Sequence, residues 1–377
     1  MTNKSFDSSL ADAQGTRMEP LAVERFDFDG YAEYEADTAG RCRRFWAADA
    51  GVLVHRRFRV PEVYSYGCKD RERSLALQLG ALAESKKYRA DVPNFLEPWY
   101  GIGTVVSCFG AEYVWHENQA PATHPPRQSL AEALEYEPVP VEQTPIGRHT
   151  VEMIEYFMEQ TRGRVPISLT DTQSPWNIAT SVVPVTQLLM EVFENPEGLK
   201  ELTNRAADLL IAFTQKQLDL LGDAVVWPGH GFASSREFRG LGMSDDNIVM
   251  LSPDQYTDLV APITGRVGDR FGGAVFHSCG DWSRWIEAVR SIPGLVALDG
   301  AFSAQTDPAP NPPEKFAEQF AGTGVVVNAR LVGDPDTVAQ GVQKLWKPGM
   351  KLIVVTYCDT PEAQAEAYDR VHEICSG

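Results

Sequence analysis

Residues 325–358 read VVVNARLVGDPDTVAQGVQKLWKPGMKLIVVTYC, and the fold follows from how this stretch divides. Val325-Val326-Val327 and Leu352-Ile353-Val354-Val355 are short apolar runs, suited to strands buried on both faces. Between them Asp334-Pro335 supplies a cap and a first-turn proline, the start of a helix. Outward from this unit the pattern repeats. Residues 165–170, 224–227, 274–276 and 295–298 are further apolar runs that end in polar residues. Helical segments alternate with them. Asn195-Pro196 opens one that carries Leu199, Leu202, Ala206, Leu209 and Phe213 at three- and four-residue spacing and should stop at Gly222. Ser252-Pro253-Asp254-Gln255 has the spacing of a capping box, and Thr360-Pro361 repeats the cap-proline device. Six strands alternating with helices, with one or two less distinct strands upstream, predict an α/β fold of the (β/α)8 TIM-barrel type.

Upstream, residues 26–46 mix aromatic and charged residues at helical spacing, an N-terminal helical extension, and residues 51–60 read as a first strand. Thr104-Val105-Val106-Ser107 suits either a strand or a helix start, and the prolines after it read as loop. Residues 1–25 are polar and read as a loose tail, which leaves 26–377 as a single domain. A doubly wound sheet would carry a glycine-rich phosphate loop; neither G-x-G-x-x-G nor G-x-x-x-x-G-K-[ST] is present, and Gly240-Leu241-Gly242 reads as a loop.

Thirty-four basic against 52 acidic residues give a net charge of −18, which repels nucleic acid and anionic lipid. No apolar run is long enough to span a bilayer and the first residues lack a secretory core, so a cytoplasmic location is expected. The six cysteines are scattered, unlike a disulfide framework, and are expected as reduced thiols.

In a barrel, chemistry gathers just past the C-terminal ends of the strands. Those positions here are Asp171, His230, His277 and Cys279, Asp299, Asn328 and Arg330, and Tyr357 and Cys358. His277-Ser278-Cys279 is the most informative, because residues i and i+2 leaving a strand point the same way and can share one ion. Cys358, at another strand end, offers a third ligand. Two thiolates and an imidazole suit zinc, with a fourth position left for water or substrate. Taken singly, the cysteine reads as a small buried residue and the histidine as a hydrogen-bonded core residue; their joint placement at strand ends favours a metal.

Three segments also carry a resemblance. Asp171-Thr172-Gln173-Ser174-Pro175-Trp176-Asn177-Ile178-Ala179, followed by Asn195-Pro196-Glu197, is one. Ser244-Asp245-Asp246-Asn247 with Leu251-Ser252-Pro253, leading to His277-Ser278-Cys279-Gly280, is another. Phe109-Gly110-Ala111-Glu112 with Glu117 and Pro121 is the third. Together they resemble the uroporphyrinogen decarboxylase superfamily over roughly residues 45 to 375. Its methylcobamide:thiol methyltransferases and O-demethylases bind zinc through a His-x-Cys pair and a distant Cys, a pattern that His277, Cys279 and Cys358 match. The resemblance therefore implies methyl transfer between a small-molecule donor or thiol and a corrinoid. No Asp-x-His-x-x-Gly motif is present, so the corrinoid would arrive on a separate protein. The Arg-Gln-Ala-Gly-Arg signature of true decarboxylases is absent, Arg56-Arg57-Phe58-Arg59 standing in its place.

Around that centre, Asp171 and Asp246 are expected to orient substrate or an imidazole, His230 to serve as a fourth ligand or proton carrier, and Tyr357 to line the pocket. Trp176 and Trp227 suit an aromatic wall. Two alternatives stay open: a metal-free carboxy-lyase using Asp171 or Asp246 with several arginines, and a barrel that binds a ligand without turnover. A homodimer is also open, since no helix face is distinctly apolar.

Overall fold

A computed structural model describes residues 15–376. Its centre is a parallel sheet of six strands: β1 (Gly51–Arg56), β10 (Lys351–Thr356), β9 (Val326–Arg330), β8 (Leu295–Ala301), β7 (Ala274–His277) and β6 (Leu241–Ser244), in that spatial order. The first strand thus pairs with the last, Gly51 opposite Lys351. Between β6 and β1 the ring continues through shorter pieces. Outside the ring, β2 (Tyr113–Val114) pairs antiparallel with β3 (Ala122–Thr123); within it, β4 (Ile167–Ser168) pairs with β5 (Val225–Val226), and past β4 Gln173 bridges Ser244 of β6. On its other side β4 meets Leu96, and Val54 of β1 accepts the amides of Asp91 and Val92. The fold is an α/β barrel of the TIM type, with helices between most consecutive strands, though the chain passes from β5 to β6 without one.

Local chemistry places the helices much as their sequences predict. The helix Pro196–Leu221 starts with the Asn195 side chain accepting from Gly198 N and ends at Gly222. Ser252 and Gln255 form both bonds of a capping box before Pro253–Leu259. The N-terminal extension is the helix α1 (Phe28–Ala47), capped by Asp27.

Three expectations are corrected. Gly240-Leu241-Gly242 is not a loop but the entry to β6: a Cβ on Gly242 would lie 2.4 Å from the Phe232 ring, so the missing side chain lets two segments pack closely. Of the two readings open for residues 104–107 the strand is overturned: they lead into a short 3-10 helix, Val106–Phe109. Of the tail expected over residues 1–25, residues 15–25 are tied down, with Thr16 N bonded to Arg59 O and Leu21 N to Ala76 O; residues 1–14 lie outside the described part. Among the described residues, no helix is long and apolar enough to cross a membrane.

Candidate active site

His277 is the last residue of β7, and strand register sets it beside Asp299, which in turn stands beside Asn328 of β9. Equivalent positions on neighbouring parallel strands share a face, so three polar side chains meet in a row. Asp299 is fully buried. It accepts from His277 Nδ1 at 2.7 Å, from Arg330 Nε at 3.0 Å and from Asn328 Nδ2. Burial acts to raise its pKa, but Arg330 and His277 outweigh burial and hold it below the ordinary carboxylate value. A carboxylate only accepts, so Nδ1 carries the proton and Nε2 faces the other way.

At that nitrogen the loops after β6 and β7 converge. Nε2 lies 3.6 Å from Cys279 Sγ and 3.9 Å from Asp246 Oδ1. One donor atom from each of Asp246, His277 and Cys279 lies within 4.8 Å of the others, the one such group among the described residues. Zinc bonds of about 2.0–2.3 Å would set tetrahedral donors roughly 3.5 Å apart, so the spacing and the nitrogen, sulfur and oxygen set fit that ion. Asp246 Oδ1 also accepts from Cys279 N at 2.7 Å, which ties the two loops together. Burial opposes protonation of His277, yet its bonds to Asp299 and Cys279 push its pKa well above the ordinary value.

Cys358 does not join this group. It is buried two residues past the end of β10 with its thiol 3.9 Å from Gly333 O, and burial pushes the thiol up to about 11. Its carbonyl accepts from Arg56 Nε at 2.8 Å. Neighbouring Tyr357 is buried and its hydroxyl faces Arg57 NH1 at 3.3 Å.

Asp171 and His230 meet in a second cluster, which contains a residue absent from the expectations above. His230 Nδ1 is 2.5 Å from Glu97 Oε2, and His230 Nε2 is 3.3 Å from Asp171 Oδ2. Tyr64 donates to the other Glu97 oxygen, while Trp99 Nε1 donates to Asp171 Oδ2 at 3.1 Å. Burial acts to raise the Glu97 pKa, but the adjacent His230 prevails and holds it down to about 2. Glu97 follows Phe95-Leu96, an apolar pair of the kind that ends a strand. Pro93 and Pro98 on either side make the segment read as loop. Both ring nitrogens of His230 are engaged by carboxylates, so it is not a ligand of the His277 centre in this arrangement. Trp176 and Trp227 pack in the core; the Trp176 indole donates to Asn247 O at 3.1 Å.

A sequence model of the uroporphyrinogen decarboxylase family matches residues 99–367. Among solved structures, the chain is similar to a methyltransferase from Methanosarcina mazei, with a TM-score of 0.54 and 15% identity over 82% of this chain and 86% of that one. No curated protein sequence matches.

Proposed function

The chain belongs to the uroporphyrinogen decarboxylase family, and from that premise we propose that it is a zinc-dependent methyltransferase. The methyl group passes between a small-molecule donor or a thiol and a corrinoid held on a separate protein. The observation that carries this reading is the convergence of Cys279 and Asp246 on the one nitrogen of His277 that Asp299 leaves available. The methyltransferase of similar fold supports the same reaction class.

In this proposal Asp246, His277 and Cys279 hold the metal; Cys358, the second thiolate that the resemblance implies, stands outside that group. Bound there, zinc supplies Lewis acidity, keeping a substrate thiol as thiolate or polarising the heteroatom that carries the methyl group. Asp299 fixes the imidazole tautomer, a common partner for a metal-bound histidine. Asp171, held by Trp99 and His230, and Tyr357, facing Arg57, orient the substrate. The metal-free carboxy-lyase alternative requires arginines turned toward a substrate. Arg56 and Arg330 are instead turned onto the Cys358 carbonyl and the Asp299 carboxylate.

Elemental analysis of protein prepared without chelator tests the proposal. We expect about one zinc per chain in the parent and its loss in Cys279→Ala; loss in Cys358→Ala as well would bring that thiol into the centre. Zinc-free parent protein would remove the basis for the reading. Retention by Cys358→Ala alone would limit the centre to Asp246, His277 and Cys279.

A further inference from the structure

The loop that carries Asp246 is gripped at the next residue by one short helix. The backbone of Asn247 donates N–H to Asn177 Oδ1 at 3.0 Å, and its carbonyl accepts from Trp176 Nε1 at 3.1 Å. Its side-chain Nδ2 donates to Thr180 Oγ1 at 2.8 Å. Trp176, Asn177 and Thr180 all belong to the helix Pro175–Val182, where residues i and i+4 share a side, and all three are buried. Three hydrogen bonds thus fix both backbone polar groups of one residue and its side chain. Asp246, one residue before, is itself exposed and has little packing of its own to hold it.

The same helix is tied to the second cluster. Asn177 Nδ2 donates to Gln173 Oε1 at 2.9 Å, and Gln173 Nε2 donates to Asp171 Oδ1 at 2.9 Å. The amide of Asn177 therefore has one end on the peptide beside Asp246 and the other on a chain that runs through Gln173 to Asp171 and His230. Neither Asn177 nor Gln173 offers an atom to the His277 centre, and both amides have their acceptors and donors used in register.

We infer that Asn177, with Trp176 and Thr180, is a positioning device for the Asp246 carboxylate, holding it at Cys279 N and His277 Nε2 so that the metal centre is shaped before the ion arrives. This rests on the metal reading proposed above. Residues that orient metal ligands through hydrogen bonds typically contribute 10- to 100-fold to metal affinity, and a loop held at one residue by three bonds loses little further freedom on binding.

Cobalt(II) is the probe, titrated into the metal-free full-length protein against a chromophoric chelator, with its visible spectrum as a second readout. The parent should bind cobalt with a thiolate charge-transfer band from Cys279. Asn177→Leu, of similar size but unable to bond, should weaken binding about 10-fold and alter the ligand-field bands. Asn177→Asp keeps the acceptor for Asn247 N and loses only the donor to Gln173, so it should recover most of that loss. Should Asn177→Leu not fold by circular dichroism, Thr180→Val, which removes the Asn247 side-chain bond at constant volume, serves instead and should weaken cobalt binding severalfold. A folded Asn177→Leu or Thr180→Val protein with parental affinity and spectrum overturns the inference while leaving the metal site standing. A parent that takes up no cobalt overturns the metal reading and this inference with it.

Discussion

A single buried carboxylate decides which nitrogen of His277 is offered to the mouth of the barrel. Because Asp299 also holds Arg330 and Asn328, its removal should act twice. Asp299→Ala is expected to cut zinc affinity by 10- to 100-fold in chelator competition and to destabilise the fold by about 3 kcal/mol in urea, since a buried guanidinium loses its counter-charge. Unchanged affinity would show that the imidazole does not need orienting. Glu97 makes a different prediction. Its pKa is about 2 when folded, below the ordinary 4.5, so the stabilisation is complete above about pH 4.5 and fades as the pH falls toward 2. The shift corresponds to something on the order of 3 kcal/mol. Glu97→Gln should flatten the acid limb of stability plotted against pH, and an unaltered slope would mean that the Glu97–His230 contact does not set that limb. His277 and Cys279 were legible in the sequence because both leave one strand two residues apart. Glu97 was not, because its partner is 133 residues away and two prolines disguise the strand end before it.

Elements were legible where capping chemistry and periodicity agree, as at Asn195-Pro196 and Ser252 to Gln255. They were obscure where a strand is short and lacks β-branched residues. Leu241–Ser244 contains a glycine and a methionine, and the piece around Leu96 is interrupted by Pro93. Tertiary contact rather than propensity makes these strands. The same contact controls how the helix Ala261–Asp269 sits on β7. A Cβ on Gly268 would fall 2.4 Å from Ala274 N, backbone that cannot swing aside. Gly268→Ala should therefore push the helix off the strand that ends in His277, costing about 1–3 kcal/mol and weakening metal uptake in the same protein. Parental melting temperature and parental metal affinity together would refute the close-packing account.

At the scale of the whole molecule, Asp91 gathers the extremities of the chain. Its carboxylate is fully buried and meets Arg41 at 3.0 Å, Tyr368 OH at 2.7 Å, His372 Nε2 at 2.9 Å and Val54 N at 2.9 Å. These partners lie in α1 and β1, close to the start of the described chain, and in the helix Pro361–Ser376 at its end. Asp91→Ala strands several donors at once and should lower unfolding stability by about 3–5 kcal/mol, read from urea midpoints. A loss below about 1 kcal/mol, the scale of an exposed pair, would show that the charges there are satisfied by other means.

The pairing of Gly51 with Lys351 has a temporal side. During synthesis β1 emerges early, yet the neighbour on one of its edges is made about 300 residues later. Until then that edge has no partner in the sheet, and nothing local can supply one, since a parallel partner must come from a distant part of the chain. Closure of the barrel is thus a late event with a large loop to gather, and such long-range pairing slows folding and prolongs the exposure of apolar strands. The site residues on β7, β8 and β9 belong to strands adjacent in both sequence and space, so their neighbourhood can assemble before the ring shuts.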